Sequence, residues 1–112
     1  MQNKVVFLTT DSLGNGEREL GQQILETFFT LLKQREQLPA AIFCANRGVL
    51  ALTNESLVSV HLKELADQGV PVLACATCAD YYGVRDQLEA GEISSMGHFM
   101  ELAAKYEVMT LA

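Results

Sequence analysis

Basic residues are scarce in this chain: eight lysines and arginines stand against fourteen aspartates and glutamates, a formal charge of −6. That balance offers no electrostatic basis for holding nucleic acid or anionic lipid. Long apolar runs are absent too, none approaching the ~20 residues of a membrane span. The opening "MQNKVVFLTTDS" carries one lysine, a short apolar run and then Asp11, too brief and too polar for a secretory signal. There are only three cysteines, which cannot all pair within one chain, so a reduced, cytoplasmic setting is expected. No repeat, linker or low-complexity segment interrupts the 112 residues. With 49% of them hydrophobic, the chain is expected to form one domain, 1–112, around a single core, with no disulfide or metal needed for folding.

What is present alternates. "KVVFLT" (4–9) is β-branched and aromatic, and "TTDSLGNGE" ends it with Gly14 and Gly16, so a buried strand leads into a loop. From Glu17 to about Gln37 the residues Leu20, Ile24, Phe28, Leu31 and Leu32 recur at helical spacing, and Pro39 stops the helix. "AAIFCAN" (40–46) reads as a second buried strand. "RGVLALTNES" then turns into a helix over roughly 55–68, with Thr53 or Asn54 as its cap and Val58, Leu62 and Leu65 inward. Gly69 ends it, and "VPVLACA" (70–76) is the third strand. Short helical turns broken at Gly83 and Gly91, a short strand "EIS", a helix over 96–106 with Phe99, Leu102, Ala103 and Tyr106 inward, and a last strand "EVMTLA" complete the chain. Such alternation predicts a three-layer α/β/α domain, flavodoxin-like in appearance, with a mainly parallel sheet of four to five strands.

In open parallel sheets, reactive groups collect beyond the carboxyl ends of the strands. Cys75 stands where the third strand is expected to leave the sheet, in "LACATCADYYGV", and Cys78 follows one helical turn later. A helix beginning near Thr77 would aim backbone N–H groups at the Cys75 sulfur and stabilise its thiolate, the nucleophilic form. Cys78 is placed to act as a resolving thiol. Four uses remain open on these residues: metal ligation, a redox disulfide, sulfur transfer, or packing. A structural zinc site needs four ligands, yet beyond the pair only His61, His98 and Cys44 remain, at spacings that fit no finger or ribbon. No later proline is available for the loop that faces a thioredoxin motif. Cys44, inside a predicted strand, is expected to pack as a small apolar residue.

The two other loops at that edge supply candidate lining residues: Asn15 and Gly16 after the first strand, Asn46 after the second. "GNGEREL" is no dinucleotide fingerprint, since Glu19 replaces its third glycine, and Glu17 and Glu19 would repel a pyrophosphate. No cofactor is therefore expected. Tyr81 and Tyr82 are expected to wall the cysteine loop, with Arg85 beside it as either an anion contact or a solvated surface arginine. His61 is expected to pack half-buried on its helix, and nothing in sequence pairs His98 with Cys75.

Three stretches together resemble a known family. "DSLGNGERELG", "LKELADQGVPVLACATCADYYGV" and "LEAGEISSM" are similar to the DsrE-like family, and most to the carboxy-terminal domain of YedF-type, sulfurtransferase-like selenium-metabolism proteins. The resemblance covers almost the whole chain. It implies a parallel sheet sandwiched by helices and, as in the TusD and DsrE subunits of sulfur-relay complexes, a persulfide carried on a cysteine ending the third strand. That position is Cys75 here. Cys78 matches the second cysteine of the YedF-type subgroup, which subunits such as TusD do not share. The TusA-like domain usual at the amino terminus of YedF-type proteins, with its Cys-Pro pair, has no counterpart in these 112 residues. What the resemblance implies is a sulfur or selenium carrier, with TusA-like donor and acceptor proteins and a homo-oligomeric assembly. The alternative is a non-catalytic binding or assembly module whose cysteine pair is structural or senses redox state.

Overall fold

The computed structural model describes residues 1–112. Five strands, β1 (Lys4–Leu8), β2 (Ala41–Cys44), β3 (Val72–Cys75), β4 (Glu92–Ser94) and β5 (Glu107–Leu111), form one sheet in the order β4-β3-β2-β1-β5. Every neighbouring pair is parallel. Four α-helices accompany them: α1 (Arg18–Lys33), α2 (Ser59–Asp67), α3 (Ala76–Tyr81) and α4 (Met96–Lys105). The α/β/α architecture expected from the alternation is present, and the sheet is entirely parallel.

The strand order explains the layering. β1 to β4 step in one direction, whereas β5 returns to the far side of β1. Right-handed crossovers therefore place α1, α2 and α3 on one face and α4 on the other. The first face carries a continuous core in which Val6, Leu8, Ile42, Val72 and Ala74 of the sheet meet Leu25, Phe29, Leu62 and Leu65 of the helices. The second is thinner. Phe43, Ala45, Leu73 and Cys75 are covered by Phe99 and Leu102 of α4, with the Phe7 ring stacked on Phe99 at 4.4 Å between centroids.

Several expected boundaries and faces shift, each for an identifiable reason. The buried stripe of α1 is Gly21, Leu25, Phe29 and Leu32. Leu20, Ile24 and Leu31 are exposed, and Phe28 is half-buried. Gly21 sets this rotation: a Cβ there would lie 2.2 Å from Ser12 Oγ and 2.5 Å from the Leu13 carbonyl oxygen. Only a glycine lets the helix press against that loop, and the stripe following it at helical spacing faces the sheet. The helix also ends at Lys33, earlier than Gln37, because Gln34 and Arg35 donate to Leu31 and Leu32 in a tightened last turn.

After β2 the chain does not loop directly into a helix over 55–68. It first winds a 3-10 helix, Asn46–Leu52, which buries Val49, Ala51 and Leu52. Gly48 permits this, since a Cβ would meet the Leu8 carbonyl oxygen at 2.0 Å. Thr53 bridges to Leu88, and Ser56 Oγ accepts from the Val58 N–H just ahead of α2. Thr53 and Asn54 thus lie before this turn and do not cap α2. Its inner residues Val58, Leu62 and Leu65 are buried as expected. Along α4, Phe99, Leu102, Ala103 and Tyr106 are each half-buried.

Candidate functional site

Cys75 is the last residue of β3 and caps α3, with φ −59° and ψ 122°. It stands at the carboxyl edge of the sheet, directed to the α4 face, and is 5% exposed. Cys78, a turn later on α3, is half-buried and packs between both faces. Cys78 follows Cys75 by one helical turn, near enough for each sulfur to affect the other's ionisation. Both cysteines are free thiols, as is Cys44.

The loop after β2 meets this pair. Asn46 has φ 51°, a left-handed conformation uncommon outside glycine but accessible to asparagine. That turn aims its backbone N–H at Cys78 Sγ, 3.0 Å away, while its Oδ1 accepts from the Tyr82 hydroxyl at 3.0 Å. Tyr82 thus folds over the cysteine loop onto the core, but Tyr81 is 84% exposed with its ring edge-on to Tyr82. Cys78 has its pKa raised, first by burial and then by the neighbouring Cys75, against the opposing pull of the Asn46 N–H.

On the other side of Cys75 lies β4. Ser94 is the register partner of Cys75, and partners in parallel strands point to the same face. The Ser94 hydroxyl is 2.9 Å from His98 Nδ1, and the His98 backbone N–H donates to Ser95 Oγ at the start of α4. No sequence signal links His98 to Cys75, because the pairing of a three-residue strand is a tertiary fact with no periodicity to announce it.

The remaining candidates are distributed around this group. Arg85 is paired with Asp80 through bonds of 2.7 and 3.0 Å, and both are exposed. Asn15 and Gly16 are exposed in the β1–α1 loop, whose Gly14 N–H bonds to the Ala112 carbonyl at the outer side of the sheet. No hydrogen bond joins them to the cysteines. That loop instead carries an ionic cluster that motif reading did not pick out. Asp11 accepts from Arg18 at 2.6 Å and from Arg47 at 3.2 and 3.3 Å. Burial opposes ionisation of Asp11, but the two guanidiniums prevail and hold its carboxyl below the usual range. These three residues border a cavity of about 110 Å³ that no cysteine lines. His61 bridges α2 to α1, its Nε2 3.3 Å from Glu26. No group of three or more His, Cys, Asp or Glu side chains is placed to hold a metal ion. No helix is long and apolar enough to cross a membrane.

The fold is that of a small α/β domain with an all-parallel five-stranded sheet, Cys75 ending its third strand and Cys78 following in α3. The chain belongs to the DsrE/DsrF-like family, whose model matches residues 3–111. Solved structures share the fold. The ychN protein from E. coli superposes with a TM-score of 0.71 at 21% identity, covering 99% of this chain and 100% of its own. MTH1491 from Methanobacterium thermoautotrophicum, a protein of unknown function, gives 0.62 at 22% identity, covering 96% and 97%. BT1422 from Bacteroides thetaiotaomicron, a conserved protein of unknown function, gives 0.65 at 16%, covering 97% and 95%. No curated protein matches the chain.

Proposed function

We propose that the protein is a sulfur carrier that accepts a persulfide on Cys75, in keeping with the sulfur-relay roles of its family. The single observation that carries this reading is the position of Cys75: a free thiol at a strand end, one helical turn from a second free thiol, at the carboxyl edge of the sheet. A carrier also needs access to its sulfur, and Cys75 is 5% exposed, but it needs little else. The Cys75 thiolate attacks the outer sulfur of a donor persulfide, a bond forms between Sγ and that sulfur, and the donor's S–S bond breaks to release its thiolate. Delivery is the same step with Cys75 as the donor. Neither step requires a metal or a general base.

Cys78 supplies a second outcome. As a thiolate it attacks Sγ of the Cys75 persulfide, forming the Cys75–Cys78 disulfide and releasing hydrosulfide. A dithiol reductant is then needed to restore the pair. Burial raises the Cys78 pKa, which disfavours the thiolate that this discharge needs. The natural partners on this reading are donor and acceptor proteins of the TusA-like kind, and selenium, whose chemistry parallels sulfur's, is an alternative cargo.

Incubation with a persulfide donor, followed by intact mass, tests the reading. The protein should gain one sulfur atom, Cys75→Ser should gain none, and Cys78→Ser should retain the atom longer. Equal labelling of Cys75→Ser would sink it. The greater exposure of Cys78 favours a second reading, a redox-sensing pair in a binding module. On that reading an oxidant would convert the pair to its disulfide while a persulfide donor left no sulfur on Cys75.

The exposed Tyr81, an aromatic of the type enriched at interfaces, supports a homo-oligomer with the loop from Cys75 to Gly83 at a subunit boundary. Light scattering over a dilution series should show an assembly that Tyr81→Ser weakens. A monomer throughout the micromolar range would refute it.

A further inference from the structure

Beside Cys75 stands a second polar group that the carrier chemistry above does not use. Neighbouring strands lie about 4.8 Å apart, so Ser94, the register partner of Cys75, is the side chain next to it on the same face. His98 is bonded to that serine through Nδ1. Its sequence neighbour Phe99 packs on the cluster of Phe43, Ala45, Leu73 and Cys75, so α4 covers the sheet face to which Cys75 points. The backbone N–H of His98 is already satisfied by Ser95, which fixes where the residue leaves the helix. His98 itself is exposed.

Resting on the carrier reading, we propose that His98, oriented by Ser94, holds the sulfur atom that Cys75 receives. When the Ser94 hydroxyl donates to Nδ1, the ring carries its hydrogen on Nε2. Attack by the Cys75 thiolate places a terminal sulfur about 2.05 Å beyond Sγ, on the face where His98 is bonded to the neighbouring Ser94. Once that sulfur has given its hydrogen to water, it is an anion that accepts the Nε2–H. The histidine thus favours the loaded form without entering the bond changes. The donor thiolate leaves with the electron pair of the broken S–S bond and takes its proton from solvent.

The test uses the full chain as Cys78→Ser, so that the persulfide is not discharged internally, loaded with inorganic polysulfide. The chain has two histidines, and His61 lies on α2 across the sheet, which makes it an internal control. On loading, the imidazole nitrogen resonances of His98 should move while those of His61 stay. Added His98→Ala should lose the sulfur to a small thiol about tenfold faster, the scale of one hydrogen bond to a charged group. His98→Gln, which keeps an N–H near the position of Nε2, should recover most of the lifetime, and Ser94→Ala should shorten it by a smaller factor. Unmoved His98 signals on a loaded Cys75, or a lifetime indifferent to His98→Ala, overturn the inference and leave the carrier reading standing. Failure of Cys75 to take up sulfur at all overturns both.

Discussion

Cys44 and Cys75 end neighbouring strands, one residue apart in register, and the sheet places them in opposite surroundings. Cys44 pairs with Ala74, so Cys75 lies one step further along β3 and points to the other face. Because side chains alternate along a strand, that single step decides everything about the thiol. Cys44 enters the large core under α1 and α2, is wholly buried, and has its pKa pushed up to about 12 by desolvation. It behaves as a small apolar side chain. Cys75 enters the thin layer under α4, at the edge where Cys78 and Ser94 flank it and Asn46 bonds to Cys78. One face is a structural core, and the other is the one to which the proposed function assigns the chemistry.

Truncating one aromatic on each face should make that difference measurable. Phe29→Ala, in the full core, should lower stability by about 3–5 kcal/mol in a denaturant titration. Phe99→Ala, on the one helix of the thinner face and only partly buried, should cost roughly 1–2 kcal/mol, since part of its surface is already in water. Equal losses would erase the distinction between the faces. Replacing sulfur by oxygen sharpens it further. Cys44→Ser buries a hydroxyl in an apolar core and should cost about 1–3 kcal/mol. Cys78→Ser, half-buried with the Asn46 N–H as a partner, should cost less than about 1 kcal/mol.

The smallest effect belongs to the ion cluster between the β1 loop and the 3-10 helix. The folded Asp11 pKa is depressed, so its contribution is present above the ordinary carboxylate value of about 3.9 and is lost as pH falls towards the folded value. Asp11→Asn should therefore lower neutral-pH stability and flatten the acid limb of a stability-against-pH curve. The loss should stay under about 1 kcal/mol, because both arginines are half in water. An unchanged acid limb would show that the pairs contribute nothing.

Much of this was legible in the residues. Apolar runs around Val5, Ile42 and Leu73 mark buried parallel strands, and their alternation with helical segments leaves few other topologies. The end of β3 at Cys75 and the loop carrying Asn46 follow from that frame. What stayed hidden depended on tertiary contact. The rotation of α1 turns on Gly21 meeting Ser12, and the winding of 46–52 turns on Gly48 meeting Leu8. Both are close approaches between distant segments that no local pattern signals. Ser94 and His98 were equally hidden beside Cys75, because β4 is only three residues long and its register is set by its neighbour.

The central claim is that sulfur reaches Cys75 and not the other thiols. Its most direct measurement is to load the wild-type protein with a persulfide donor, tag the persulfide before it can migrate, and locate it by peptide fragmentation. The account predicts the added sulfur on Cys75, with Cys44 unmodified in the folded protein. Sulfur found first on Cys78, or on Cys44, would contradict it.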